Sequence, residues 1–207
     1  IPCLIQAGWE VLVTVRKEAD LGRLPPEAKG LVTGDIGGDT PWHRVLAGAQ
    51  AVVHLAARVH RLDVRGDDAL YGRVNVGMTE SLARAAIAGR VRRIVFISSV
   101  KAMGESTPPG KRLDESSRCL PLDPYGASKL LAEKALEKVA RETGIETVIL
   151  RPPLIYGPGV KANMASLFSA VQRGIPLPLG AVRNCRSLLY AGNLVDCIRL
   201  SLERPEA

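Results

Sequence analysis

The chain has 207 residues, 46% of them hydrophobic and 24% charged, with 28 Lys plus Arg against 21 Asp plus Glu. That is enough apolar material for a sizeable core and excludes a disordered chain, while no apolar run approaches the ~20 residues of a membrane span. The net charge of +7 is dispersed, clustering only at Arg16-Lys17 and Arg90–Arg93, and 4% aromatic residues are too few for a base-stacking platform, so neither nucleic acid nor membrane is an expected partner.

Short β-branched runs alternate with helical patterns along the chain. Glu10–Val15, Leu31–Thr33, Ala51–Leu55, Arg93–Ser98 and Thr147–Leu150 read as strands. Between and after them, Pro41–Ala49, Leu70–Ala88, Pro124–Thr143, Asn163–Gly174 and Asn193–Glu203 read as helices. Asp123 with Pro124 marks a helix start, and Gly144 marks its end. This alternation predicts parallel strands with crossover helices, a doubly wound Rossmann-type α/β sheet whose strands are covered on both faces. From Pro152 onward prolines and glycines crowd together, which suggests residues 1–151 as one domain and 152–207 as the start of a smaller, loop-rich one.

Cys3, Cys119, Cys185 and Cys197 are scattered without a C-x-x-C pair. This argues against a metal site or a disulfide framework and suits a reducing, cytoplasmic setting. The chain opens on Ile1 rather than Met and reads as part of a longer protein.

The chemistry concentrates at Tyr125-Gly-Ala-Ser-Lys129. Spacing of i, i+4 puts the phenol and the ammonium on one helix face, where the cation favours the phenolate and so suits the tyrosine to proton transfer. Alone the pattern is common as a solvated pair. Its context is more telling: the strand at Ile94–Ile97 ends in Ser98-Ser99, and the carboxyl ends of parallel strands are where α/β folds bind ligands.

Further segments occur in order: Gly34-Asp35-Ile36, Val53-His54-Leu55-Ala56-Ala57, Asn75-Val76-x-x-Thr79, Ser98-Ser99-Val100-x-x-x-Gly104, Leu150-Arg151-Pro152-Pro153-x-x-Tyr156-Gly157-Pro158, Arg186-Ser187-Leu188 and Asn193-Leu194-Val195-Asp196. Together they resemble the extended short-chain dehydrogenase/reductase superfamily, in its nucleotide-sugar epimerase/dehydratase branch. Gly159–Asn163 is similar to the version in UDP-glucose 4-epimerase-like members.

The resemblance implies roles. Tyr125 would be the general base and acid at the sugar C4 hydroxyl. Lys129 would tune it and bind the nicotinamide ribose, and Ser99 would hydrogen-bond the reacting oxygen. Asp35 and Ile36 would lie beside the adenine, with Arg16 near the adenosine ribose. Leu55, Ala56 and Ala57 would lie under the cofactor, with Asn75 and Pro152 also beside it. Asn163 and Arg186 would hold the substrate diphosphate, and Lys101 would face the substrate. His54 reads as a packed structural residue, whereas His60 is a candidate to face the sugar. The expected ligands are NAD, with NADP as the alternative because Arg16 and Lys17 precede Glu18, and a nucleotide sugar of the UDP type. A homodimer is implied for the full-length enzyme.

One part of the pattern is missing: no G-x-x-G-x-x-G occurs. Ile1–Gly8 reads as the tail of the helix that should follow that turn. The absent first strand would lie between Glu10–Val15 and Ala51–Leu55, leaving two strand edges unpaired. A chain so cut is expected to bind dinucleotide poorly and to be less stable than a complete one, and further substrate-binding segments are implied after Glu203. Ser99 is followed by Val100 and Lys101 rather than by acids, which disfavours 4,6-dehydration. The reading is a 4-epimerase-like enzyme. The alternatives are a 4-ketoreductase or dehydrogenase of a UDP-deoxy-sugar and, in another class, a non-catalytic nucleotide-binding scaffold.

Overall fold

The computed structural model describes residues 1–57, 72–108, 110–160, 162–177, 180–183 and 185–206, with only the backbone described at 72, 73, 162 and 163. His60 and the beginning of the Leu70–Ala88 helix lie outside the described residues.

The five expected strands form and run parallel. β1 (Leu12–Val15) pairs with β2 (Lys29–Val32), in register from Leu12 opposite Lys29 to Val15 opposite Val32. β3 (Ala51–His54), β4 (Arg93–Ile97) and β5 (Glu146–Leu150) make a three-stranded sheet in that order. Among the described residues, β1 and β3 share no ladder. The break falls where the expected strand order would set one more strand.

Side chains alternate across the three-stranded sheet, as pleating requires. Val52, Ile94, Phe96 and Ile149 face a core formed with α2 (Trp42–Val45), α3 (Gly77–Ala88) and α4 (Pro124–Thr143). Ala51, Val53, Val95, Ile97, Val148 and Leu150 face the other way, against Leu4 of α1 (Pro2–Gln6) and Leu194, Ile198 and Leu202 of α6 (Ala191–Glu203). The sheet is thus covered on both faces, which is why β4 carries no polar alternation. Leu31 and Ile36 pack on the first core, which ties the β1–β2 pair to it.

α4 forms as its end signals dictate. The Asp123 carboxylate accepts from the Gly126 amide at 2.6 Å, Pro124 occupies the first turn, and Gly144 closes the helix in the left-handed region at φ 76°. Such a cap contributes about 1 kcal/mol. Its buried stripe runs Gly126, Lys129, Ala132, Glu133, Leu136 and Val139, so two ionisable residues lie in the stripe that meets the core.

Other elements differ from the sequence reading. The Pro41–Ala49 helix shrinks to Trp42–Val45, because the chain turns at Leu46 and Gly48 takes φ 73°. A π-helical turn at Gly72–Val76 leads into α3. Two three-residue strands, β6 (Leu154–Tyr156) and β7 (Leu188–Tyr190), pair in parallel with α5 (Ala162–Gln172) between them. Runs so short carry no readable period. No helix among the described residues is long and apolar enough to cross a membrane.

Candidate functional site

The site is built at the carboxyl end of β4, against the first turns of α4. Past β4 the chain makes a short 3-10 turn, Val100–Ala102, whose N-cap is Ser99: its hydroxyl accepts from the Lys101 amide at 3.2 Å. This turn packs directly on α4 at Gly126, where an added Cβ would lie 2.3 Å from the Lys101 carbonyl oxygen. Only glycine permits that approach, and it brings the Ser99 turn against the turn of helix that carries Tyr125. The Val100 amide donates to the Pro152 carbonyl at 3.0 Å, joining the end of β5 to the same place.

Tyr125 is half-buried. Burial pushes its phenol above the ordinary value, the Asp123 carboxylate pushes the same way, and Lys101 partly offsets both. The sequence pattern leads one to expect the opposite, a phenol lowered by Lys129. The reason lies in where the ammonium goes. Lys129 is 1% exposed, and its Nζ donates to the Ile97 carbonyl at 2.6 Å and sits 4.1 Å from the centre of the Phe96 ring. It is turned into the sheet rather than toward the phenol. Burial pushes it down to about 8, and the Glu133 carboxylate acts in the opposite direction.

Lys101, expected to face substrate, is instead committed to the protein. Its ammonium pairs with Asp123 and, at 3.3 Å, with Glu105. The Asp123 hydrogen bond holds it above the usual lysine range despite some burial.

Behind the helix lies a polar network. The buried Asn75 donates to the Ser128 hydroxyl at 3.0 Å, and Ser128 in turn donates to the Tyr125 carbonyl at 2.8 Å. Thr79 donates to the Asn75 carbonyl at 2.7 Å, so its oxygen is left to accept from His54 Nε2, 3.0 Å away. His54 is buried and held neutral; burial, then the Lys129 charge, lowers it to about 3. That is the packed structural role read from the sequence.

A second network was not legible in the sequence. Ser98 donates to Glu133, and Arg151 donates to both Glu133 oxygens at 2.7–3.2 Å. The sequence had offered Ser98 as a hydroxyl at the ligand-binding end of a strand, not as the partner of a buried carboxylate. The one available signal was the spacing of Glu133, four residues after Lys129 on the same face.

The remaining candidates lie just past other strand ends. Arg16, after β1, makes a two-pronged pair with Asp35, after β2, the second prong at 2.9 Å; both are exposed. Ile36 is half-buried on the core. Leu55, after β3, is 65% exposed, beside the partly covered Ala56 and Ala57. Pro152 is buried after β5. Arg186 is exposed before β7, away from any pairing shown, and the side chain of Asn163 at the start of α5 lies outside the described residues.

Known proteins resemble the chain in sequence and fold. The model of the family described as "NAD dependent epimerase/dehydratase family" matches residues 1–207. A Vibrio cholerae UDP-glucose 4-epimerase is 44% identical over 177 residues, covering 84% of this chain and 54% of that protein. An Escherichia coli O157:H7 N-acetyl-alpha-D-glucosaminyl-diphospho-ditrans,octacis-undecaprenol 4-epimerase is 33% identical over 176 residues, covering 84% of this chain and 52% of that protein. The chain thus spans about half the length of these relatives. The solved structure of MoeE5 in complex with UDP-glucuronic acid and NAD superposes with a TM-score of 0.76 at 26% identity, covering 97% of this chain and 66% of that one.

Proposed function

Because the chain belongs to the NAD dependent epimerase/dehydratase family, we propose that it forms the catalytic part of a nucleotide-sugar 4-epimerase that uses NAD and a UDP-linked hexose. The observation that carries the proposal is the placement of a half-buried Tyr125 and a buried Lys129 one turn apart, on the helix that packs against the Ser99 turn. The 44% identity to a UDP-glucose 4-epimerase supports the same choice.

The residues present fit the two ends of the cofactor. The exposed Leu55 and the small Ala56 and Ala57 offer an apolar ledge for a ribose or flat ring. A bound NAD would supply the hydride acceptor and donor for the sugar C4. Tyr125 accepts the C4 hydroxyl proton and later gives it back. The Ser99 hydroxyl, already aimed by its cap on the 3-10 turn, donates to the C4 oxygen. Lys129 holds the ribose side of the site and Asn75 fixes the helix behind it, through Ser128. Arg186 and Asn163 are proposed for the diphosphate, where a guanidinium fork suits paired oxygens. Lys101, paired with Asp123, lowers the Tyr125 phenol against the effect of burial and Asp123, and it is proposed to face the substrate from that position.

The test is conversion of UDP-glucose or UDP-N-acetylglucosamine to its C4 epimer by the full-length protein. Epimer should form with no net change in reduced-cofactor absorbance. Stoichiometric consumption of reduced cofactor with a 4-keto sugar, and no epimerisation, would overturn the epimerase reading in favour of a reductase.

Cofactor choice follows from the Arg16–Asp35 pair. Asp35 occupies the guanidinium fork that a ribose 2′-phosphate would otherwise engage. Asp35→Asn should therefore raise the NADP-to-NAD affinity ratio roughly fivefold, a modest effect because exposed pairs are weak. An unchanged ratio in equilibrium binding would remove Arg16 from the cofactor site.

A further inference from the structure

The cluster of Ser98, Glu133 and Arg151 does not touch the reacting positions named above, yet it joins all three elements that carry them. Glu133 is 1% exposed and Ser98 is 4% exposed. A carboxylate so buried must be matched by charge and hydrogen bonds, or it costs several kcal/mol. Arg151, past β5, supplies a two-pronged cation. Ser98, at the end of β4, supplies a hydroxyl donor. Glu133 itself stands one turn beyond Lys129 on the buried stripe of α4. The three contacts lock α4 to the ends of β4 and β5, beside Ser99 and Pro152.

A second feature concerns charge. Lys129 is a buried ammonium with one carbonyl partner and an aromatic face, and burial alone favours its neutral form. The groups around it are few. From β3 comes His54, which is neutral. From β4 come the Ile97 carbonyl and the Phe96 ring. From its own helix come Tyr125, a turn before, and Glu133, a turn after. From the end of β5 comes Arg151, with Glu137 and Cys119 acting on it in turn. Glu133 is thus the anionic group that acts on Lys129, and it is shared with Arg151.

We propose that Glu133 is a positioning residue that keeps Lys129 in its charged form, and that Arg151 sets how much of the Glu133 charge Lys129 feels. This rests on the function proposed above only for its catalytic meaning, since the charge state of Lys129 is a property of the fold. Two substitutions then act with opposite sign. Glu133→Gln keeps the shape but removes the anion and leaves Arg151 as a second nearby cation, so Lys129 loses its proton at lower pH. Arg151→Met keeps the stem but removes the competing cation, so Lys129 becomes the cation nearest the carboxylate and holds its proton to higher pH. A scaffold role alone would not move the two in opposite directions.

The experiment is NMR titration of the chain carrying lysine labelled at 13Cε, with the Lys129 signal assigned through Lys129→Arg. The expected result is a midpoint lowered by about one pH unit in Glu133→Gln and raised by a similar amount in Arg151→Met, relative to the unsubstituted chain. Midpoints that coincide in all three, or that shift in the same direction in both variants, overturn the proposal. If Glu133→Gln does not fold, the direction of the Arg151→Met shift alone decides, because unchanged or lowered titration there is equally fatal. Activity of the full-length enzyme is read separately: the pH above which epimerisation declines should follow the lysine midpoint. A lysine that shifts as expected while catalysis does not follow would uphold the charge role of Glu133 and count against the catalytic role of Lys129.

Discussion

Tyr125→Phe should lower the epimerisation turnover of the full-length enzyme by roughly a thousandfold, within the range that general acid–base groups contribute. The substitution removes one oxygen and nothing else. The ring stays half-buried, so folding should be unaffected and the substrate KM nearly unchanged. What disappears is the group proposed to take the C4 proton. Among the described residues the two nearby cations are otherwise engaged: Lys129 is turned to the Ile97 carbonyl, and Lys101 is held by Asp123 and Glu105. The raised phenol also bears on the reaction. Burial and Asp123 raise the Tyr125 phenol above its ordinary value, and Lys101 acts against them. A Tyr125→Phe variant with full activity would eliminate both the epimerase and the reductase readings.

Arg93→Met should destabilise the chain by about 3 kcal/mol, the scale of a buried charged residue that makes several hydrogen bonds. Arg93 begins β4 and is 2% exposed. Its guanidinium donates to the Ser201 carbonyl at 2.7 Å, to the Arg204 carbonyl and to the Pro205 carbonyl at 3.2 Å. Those carbonyls lie at the carboxyl end of α6 and just beyond, where helix carbonyls lack intrahelical partners and the macrodipole favours a cation. Nε also pairs with Glu146 of β5 at 2.7 Å. One side chain thus fastens α6 to the sheet and ties β4 to β5. Methionine keeps the stem and the packing, so the loss would report the guanidinium. In a chain of this size the midpoint of thermal unfolding should fall on the order of 10 °C. A fall of less than 3 °C would mean that water replaces the guanidinium at those carbonyls, and that the apolar contacts of Ile198 and Leu202 alone hold α6 in place.

These two residues also show the limits of reading the sequence. Tyr125 was visible because its partner Lys129 is four residues away and its helix announces both ends, at Asp123 and Gly144. Arg93 was visible only as one member of a basic cluster. Its carbonyl partners lie more than a hundred residues on and Glu146 lies 53 on, and nothing local distinguishes a buried arginine from a solvated one. Lys101 illustrates the same difficulty in reverse. It reads as a cation free to meet a substrate, and it becomes a structural one because the close contact at Gly126 brings its turn against the Asp123 cap. Asp35 could be read as an adenine neighbour, but its pairing with Arg16 spans 19 residues and two strands.

What the sequence by itself determined was the parallel α/β class, the order of the five main strands and the identity of the tyrosine–lysine helix. These follow from periodicity and end signals, which act over a few residues. What only the tertiary structure decided was direction and charge: that Lys129 faces the sheet, that Tyr125 is raised rather than lowered, and that Ser98, Glu133 and Arg151 form one buried ionic cluster. Those properties depend on which groups a fold brings within a few ångströms and on how much water it removes from them. Neither quantity is carried by spacing along the chain. The broken sheet belongs to both accounts, since the absent glycine turn was legible in the sequence and the gap between β1 and β3 appears in the ladder.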